Sequence, residues 1–189
     1  MGKVVILGGN ARSGKSTLSY MLVNNGYSRI SFDNIHEVLR NSLDIDINEL
    51  NIEKKFKLFE NIVNMSLDES KNEDTNIVID MYDYLPEDIN KLERKDEIEV
   101  YFLAYPNCTK EQIKFNVINY SKPTDWIAQV NENYLNSCVE RFYKRNEILV
   151  NECKKYNMVL IDTMDGDNRT KVLNELLNRI TQETKRIKY

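Results

Sequence analysis

Five short apolar runs punctuate the chain, at residues 4–7, 29–32, 77–80, 99–103 and 158–162, and between them apolar positions recur at helical spacing. Runs of four or five largely β-branched residues fit strands buried on both faces. Helices between successive strands return the chain to the same edge of a sheet, so the expected architecture is a parallel sheet covered on both sides. Residues 16–23 read as a helix after the first strand. Over about 49–70, Ile52, Phe56, Phe59, Val63 and Leu67 form one stripe of an amphipathic helix. Residues of roughly 107–157 make an insertion longer than a simple crossover needs; its middle, residues 120–126, breaks the helical pattern and reads as a turn or flap. The helix after it carries Leu135, Val139, Phe142, Leu149 and Cys153 on one stripe, and a last helix over about 168–186 packs Val172, Leu173, Leu176, Leu177 and Ile180. No repeat, low-complexity tract or linker interrupts this order, so 1–189 is expected to be a single domain.

The turn between the first strand and the first helix carries the most specific chemistry. Gly9, Asn10, Ala11, Arg12, Ser13, Gly14, Lys15 and Ser16 satisfy the pattern Gly, four residues, Gly-Lys-Ser, with Thr17 following. Its glycines let consecutive backbone N–H groups curl around phosphate oxygens, and the new helix presents its positive dipole end. Lys15 brings a mobile charge to the β- and γ-phosphates, and the Ser16 hydroxyl is placed to hold Mg²⁺. The expected ligand is a nucleoside triphosphate with Mg²⁺.

Two carboxylates stand at strand ends, where open parallel sheets build their ligand crevices. Asp80 closes the third strand and is the expected metal-side acid, with Ser16 the second metal position. The next residue is Met81, so the adjacent carboxylate that ATP-hydrolysing machines use to activate water is missing. Asp83, three residues on, either faces the same cleft or, the leading reading, is a loop aspartate facing solvent. Asp33 ends the second strand. A carboxylate there can orient an acceptor hydroxyl and take its proton, or it can cap the following helix. His36, the single histidine, reads as a helix-surface imidazole.

The loop, the strand ending in Asp33, Asp80, the lid-sized insertion and the terminal Leu160-Ile161-Asp162-Thr163 together resemble the small P-loop kinases: adenylate, shikimate and gluconate kinases and chloramphenicol phosphotransferase. The resemblance implies a three-layer P-loop NTPase fold, a five-stranded parallel sheet of order 2-3-1-4-5, a helical lid, and transfer of the γ-phosphate of ATP to a small-molecule acceptor. Residues 163–166 fall where such kinases support adenine. Two departures stand out. His36 and Arg40 replace the arginine that grips an acceptor phosphate in nucleoside monophosphate kinases, and Lys122 is the lone cation in the flap. Arg141 and Arg145, one helical turn apart, are the substitutes expected to meet the transferring phosphate, whereas Lys144 points the opposite way. Trp126 is expected to anchor the flap to the core.

The balance of 26 basic against 30 acidic side chains, net −4, removes any general attraction to nucleic acid or anionic membrane. No apolar run reaches membrane-spanning length, and the first strand begins too early to leave room for a signal peptide. Cys108, Cys138 and Cys153 lie far apart and suggest neither a zinc site nor a disulfide framework, so a cytoplasmic protein with reduced thiols is expected. The nearest approach to a guanine-reading motif is Asn90-Lys91-Leu92-Glu93, with the wrong final residue and on the wrong side of the fourth strand. A GTPase is therefore excluded. An ATP-dependent kinase acting on a small-molecule hydroxyl leads, with a nucleoside monophosphate kinase or a non-catalytic nucleotide-binding module as alternatives; the pattern is silent on oligomeric state.

Overall fold

The computed structural model describes residues 2–121, 125–163 and 166–186, with backbone only for residues 126, 166–167 and 183–186. Five strands, β1 (Val4–Gly9), β2 (Tyr27–Ser31), β3 (Asn76–Asp80), β4 (Ile98–Ala104) and β5 (Val159–Asp162), form one parallel sheet in the order β2-β3-β1-β4-β5. Seven α-helices connect and cover them: α1 (Lys15–Val23), α2 (Phe32–Leu43), α3 (Ile52–Asn72), α4 (Pro86–Lys91), α5 (Lys110–Asn119), α6 (Glu132–Lys155) and α7 (Gly166–Arg186). This is the strand order that the resemblance implied.

Strand alternation divides the core. Val4 and Ile6 point to one face and pack with Ile77, Ile79 and Phe102 against Phe59, Val63 and Leu67 of α3 and Leu149 and Cys153 of α6. Val5 and Leu7 point to the other, where Leu18 and Leu22 of α1 and Leu173, Leu176 and Ile180 of α7 cover them. The predicted stripes hold, except that Ile52, at the first position of α3, is 84% exposed. Phe32 leaves the predicted second strand to begin α2, and its buried ring packs edge-on against Phe59 and Tyr84. Helix α4 was not expected from the sequence.

The insertion is a helix pair. Ile113 and Val117 of α5 meet Cys138, Val139 and Phe142 of α6 in a third cluster that also takes Tyr105, Ile127 and, in the phosphate loop, Ala11. The C-terminal half of α6 is the ordinary crossover helix. The flap's residues 122–124, Lys122 among them, and the Trp126 side chain lie outside the described residues, as do 164 and 165 of the predicted adenine-supporting segment. Cys108, Cys138 and Cys153 are buried and free. Among the described residues no helix is long and apolar enough to cross a membrane.

Candidate active site

The phosphate loop leaves the sheet at Gly9, whose φ of +130° and whose approach to β4 both demand glycine: a Cβ there would stand 2.0 Å from the Leu103 carbonyl oxygen. The next amide, Asn10 N, donates to that same oxygen at 2.9 Å. The Asn10 side chain is fully buried and locks the loop to the protein behind it, donating to the carbonyl of Phe142 (2.7 Å) and to Oδ1 of Asn146 (2.8 Å), while its own Oδ1 accepts the Ala11 N–H. Asn146 also exchanges hydrogen bonds with the Tyr105 backbone, and the Tyr105 hydroxyl donates to the Ala11 carbonyl at 2.5 Å. A buried, mutually satisfied network of this kind holds a loop rigid before ligand arrives. Gly14 caps α1 with φ +96°, aiming the free N–H groups of the first turn into the cleft.

Lys15 is buried in this cradle, its Nζ donating to the Asn10 carbonyl at 2.6 Å. Burial pushes its pKa down to about 8, against the opposing pull of Asp80, Asp33 and Asp83, while Arg145 pushes it the same way as burial. Asp80, Arg145, Asp33 and Asp83 are thus the charged groups whose fields act on Lys15. Arg145 spans it from α6: its guanidinium lies 4.1 Å from the centre of the Tyr82 ring and donates to the Tyr82 carbonyl. The same ring lies 5.7 Å from Lys15 Nζ. Arg141 donates to Cys138 Sγ at 3.0 Å with its guanidinium over the Tyr134 ring, and its charge, like that of Arg145, acts on the Tyr82 hydroxyl. Lys144 pairs with Glu140 on the surface, pointing away as predicted.

The two strand-end acids separate in role. Asp33 is not the cap of α2: the Ser31 hydroxyl takes that position, accepting from Asn34 N at 3.5 Å. Asp33 sits in the first turn of α2 and is exposed. Desolvation raises its pKa, and Asp80 raises it further, against the pull of Lys15. Among the described residues no hydrogen bond or ion pair engages its carboxylate. Asp80, only 6% exposed, has Oδ2 held by Arg29 Nη2 at 2.7 Å.

Asp83 and His36 differ from their sequence readings. The loop after β3 folds inward because Tyr84 stacks on Phe59 (ring centroids 4.2 Å), so Asp83 is half-buried, facing His36 Nε2 at 3.3 Å and Lys55 Nζ at 4.0 Å. The imidazole is turned inward too, 12% exposed. Arg12, Arg29 and Arg169 are the cations whose placement the sequence did not disclose. Arg12, at φ 62°, reaches the flap, with Nη2 2.5 Å from Ser121 Oγ and 2.7 Å from Asp125 Oδ2. Arg169, at the start of α7, donates to the Thr163 carbonyl at 3.1 Å and lies over the Tyr120 ring. The period-2 pattern puts Arg29 on an inward face, the one available signal for it.

Two adjoining cavities follow the loop. One of about 510 Å³ is lined by Arg12, Lys15, Ser16, Thr17, Tyr120 and Arg169; the next, about 890 Å³, lies between α5, the end of β5 and α7, with Phe115, Asn116, Asp162 and Thr163 in its walls. Their sizes and order suit a triphosphate followed by a base. The donors also fit Mg²⁺: a hydroxyl at Ser16 and one strand-end carboxylate at Asp80 are the sparse oxygen set that ion accepts when phosphates and waters complete its shell. Among the described residues no group of three metal-ligating side chains stands elsewhere.

No protein-family model matches the chain, and no curated protein matches it in sequence. Solved structures do match in fold. A gluconokinase from Sinorhizobium meliloti 1021 aligns with TM-score 0.60 and 14% identity over 100% of this chain and 98% of its own. A shikimate kinase from Bacteroides thetaiotaomicron aligns with TM-score 0.56 and 14% identity, covering 95% and 98%. A dephospho-CoA kinase from Campylobacter jejuni gives TM-score 0.55 and 15% identity, covering 97% and 100%. The chain is similar to these small P-loop kinases in fold over nearly its whole length.

Proposed function

We propose that the protein is an ATP-dependent kinase that transfers the γ-phosphate to a hydroxyl of a small molecule. The observation that carries the reading is the convergence on one buried ammonium, Lys15, of an unpaired carboxylate (Asp33), a metal-side carboxylate (Asp80) and a guanidinium (Arg145). Phosphoryl transfer needs positioning and charge stabilisation, and these are the groups that supply them. The loop N–H groups and Lys15 hold the β- and γ-phosphates, with Arg145 beside them to meet charge that grows on the transferring group. Mg²⁺, held by Ser16 and Asp80, would neutralise β/γ-oxygen charge. The acceptor hydroxyl then lies at the mouth of the cleft beside Asp33. As its oxygen bonds to the γ-phosphorus and the bridging bond to ADP breaks, its proton passes to the Asp33 carboxylate. The raised pKa of Asp33 favours that proton. The free, buried thiols accord with a reducing, cytoplasmic setting as part of the same reading.

The test is ADP release from Mg·ATP in the presence of pooled polyols, hydroxy acids, nucleosides and nucleoside monophosphates. At least one pool is expected to raise release well above background hydrolysis. Asp33→Asn should cut that turnover by about two to four orders of magnitude while Mg·ATP binding stays intact, the range for losing a general base. An Asp33→Asn protein with wild-type turnover in the responsive pool would refute the assignment. Tight Mg·ATP binding with no acceptor-dependent release in any pool would favour the non-catalytic module instead.

A further inference from the structure

The third residue of β2 is an arginine on the face covered by α1, a site where a positive charge persists only if something compensates it. The compensation is Asp80. Arg29 and Asp80 are 15% and 7% exposed, and their Nη2 and Oδ2 atoms are 2.7 Å apart. The second edge of the guanidinium is used as well: Nε donates to Ser19 Oγ at 2.8 Å, and that hydroxyl donates to the Ser16 carbonyl at 2.9 Å while lying 3.4 Å from Asp80 Oδ2. The Tyr20 ring covers the guanidinium at 4.7 Å. A fixed cation is thus built into the carboxylate of the metal side and into the helical turn that carries Ser16. None of the steps of phosphoryl transfer described above uses it.

We propose that Arg29 is a positioning residue that weakens and sets the hold of the cleft on Mg²⁺. This inference rests on the kinase reading, in which Ser16 and Asp80 hold the ion. With Arg29 in place, an ion drawn to Asp80 meets a carboxylate whose charge is already matched, and it is repelled by the guanidinium behind. Without Arg29, Asp80 would lose its ion-pair partner and meet the ion at full charge, with Asp33 nearby and Lys15 the cation between them. A kinase must release its ion with ADP at every turnover, and a tempered carboxylate serves that release.

The experiment is a Mg²⁺ titration of fluorescent ADP binding to the whole protein. Arg29→Gln keeps a hydrogen-bond donor and drops the charge. It should bring the half-maximal Mg²⁺ concentration down by about tenfold or more, since one unit charge about 4 Å from a divalent ion is worth at least that factor even with the full screening of bulk water. Arg29→Lys loses the fork to Asp80 and Ser19 but keeps the charge, and because the field at the ion depends on that charge the midpoint should stay within about twofold of wild type. In an Asp80→Asn background, Arg29→Gln should lower the midpoint by a smaller factor than in the wild-type background, because only the direct repulsion of the guanidinium is then removed. Where the buried, unpaired carboxylate leaves Arg29→Gln poorly folded, Arg29→Met and a second readout decide: Mg²⁺ alone should raise the melting temperature of either charge-free variant more than that of wild type. An unchanged or higher midpoint in Arg29→Gln, a Lys variant that shifts several-fold, or equal melting shifts in all proteins would overturn the proposal. Wild-type protein that shows no Mg²⁺-dependent ADP binding would overturn the kinase reading along with it, whereas a binding wild type with an unshifted Arg29→Gln overturns this inference alone.

Discussion

Lys15 makes the sharpest demand of the site on experiment. Burial holds its pKa at about 8, so the free protein carries a neutral amine at this position over much of the alkaline range. A triphosphate brings several negative charges against the same nitrogen and returns it to the charged form. Above pH about 8, binding must therefore take up a proton, and affinity must fall as that proton becomes scarcer. With a complex pKa above 10, the dissociation constant for Mg·ATP rises about 30-fold between pH 7 and pH 9.5, or about 2 kcal/mol. Stability shows the opposite sign. A lysine whose folded pKa lies below its unfolded value binds fewer protons when native, so the ligand-free protein gains stability as pH rises from about 8 towards 10.5, by up to about 3 kcal/mol. Titration calorimetry in two buffers of different ionisation enthalpy measures the uptake directly: about half a proton per ATP at pH 8 and close to none at pH 6.5. Lys15→Met supplies the control, since it should bind weakly and take up nothing in the alkaline range. A flat affinity from pH 7 to 9.5, or uptake that survives in Lys15→Met, would show that Lys15 is not the group phosphate meets.

The other predictions follow from contacts around it. Asp80→Asn should raise the Mg²⁺ concentration needed for nucleotide binding, read by the same fluorescent-ADP titration; an unchanged requirement would remove Asp80 from the metal side. Arg145→Ala should lower turnover more than ATP affinity and speed hydrogen exchange at residues 82–84, where it holds the Tyr82 and Tyr84 carbonyls. Lys144→Ala, which loses one surface pair, should stay within about 0.5 kcal/mol of wild type, and equal effects at both positions would make Arg145 scaffold. Arg12→Gly relieves a left-handed backbone that costs a non-glycine residue about 1 kcal/mol, so it should melt above Arg12→Ala, while both variants exchange faster at 120–121 and 125–129. Phe59→Ala removes a fully buried ring stacked on Tyr84 and should cost about 3–5 kcal/mol in urea unfolding; a loss under about 1.5 kcal/mol would mean the loop after β3 is not held by that stack.

The amino-acid sequence by itself determined the strand count, the helical stripes and the phosphate loop, because each is written in neighbouring residues. Val4 and Ile6 against Val5 and Leu7 already encode two covered faces through the period of a strand. The glycines at 9 and 14 encode a loop geometry that few other residues tolerate. Local chemistry also shows at Lys15, Ser16, Asp33 and Asp80, which stand at the ends of such elements. What surrounds those residues is written nowhere locally. Ser31 and not Asp33 caps α2 because the strand ends a residue earlier than its apolar run suggests, when Phe32 turns into the core. Asp83 and His36 face each other beside Tyr84, which stacks on Phe59 of α3. Asn146 reaches Asn10 across 136 residues, and Arg29 reaches Asp80 across 51. Such pairs depend on strand order and helix packing, and a buried charge or amide takes whichever partner the completed fold brings within about 3 Å. Tertiary structure alone therefore decided that Asp80 is matched by an arginine whereas Asp33, among the described residues, is not.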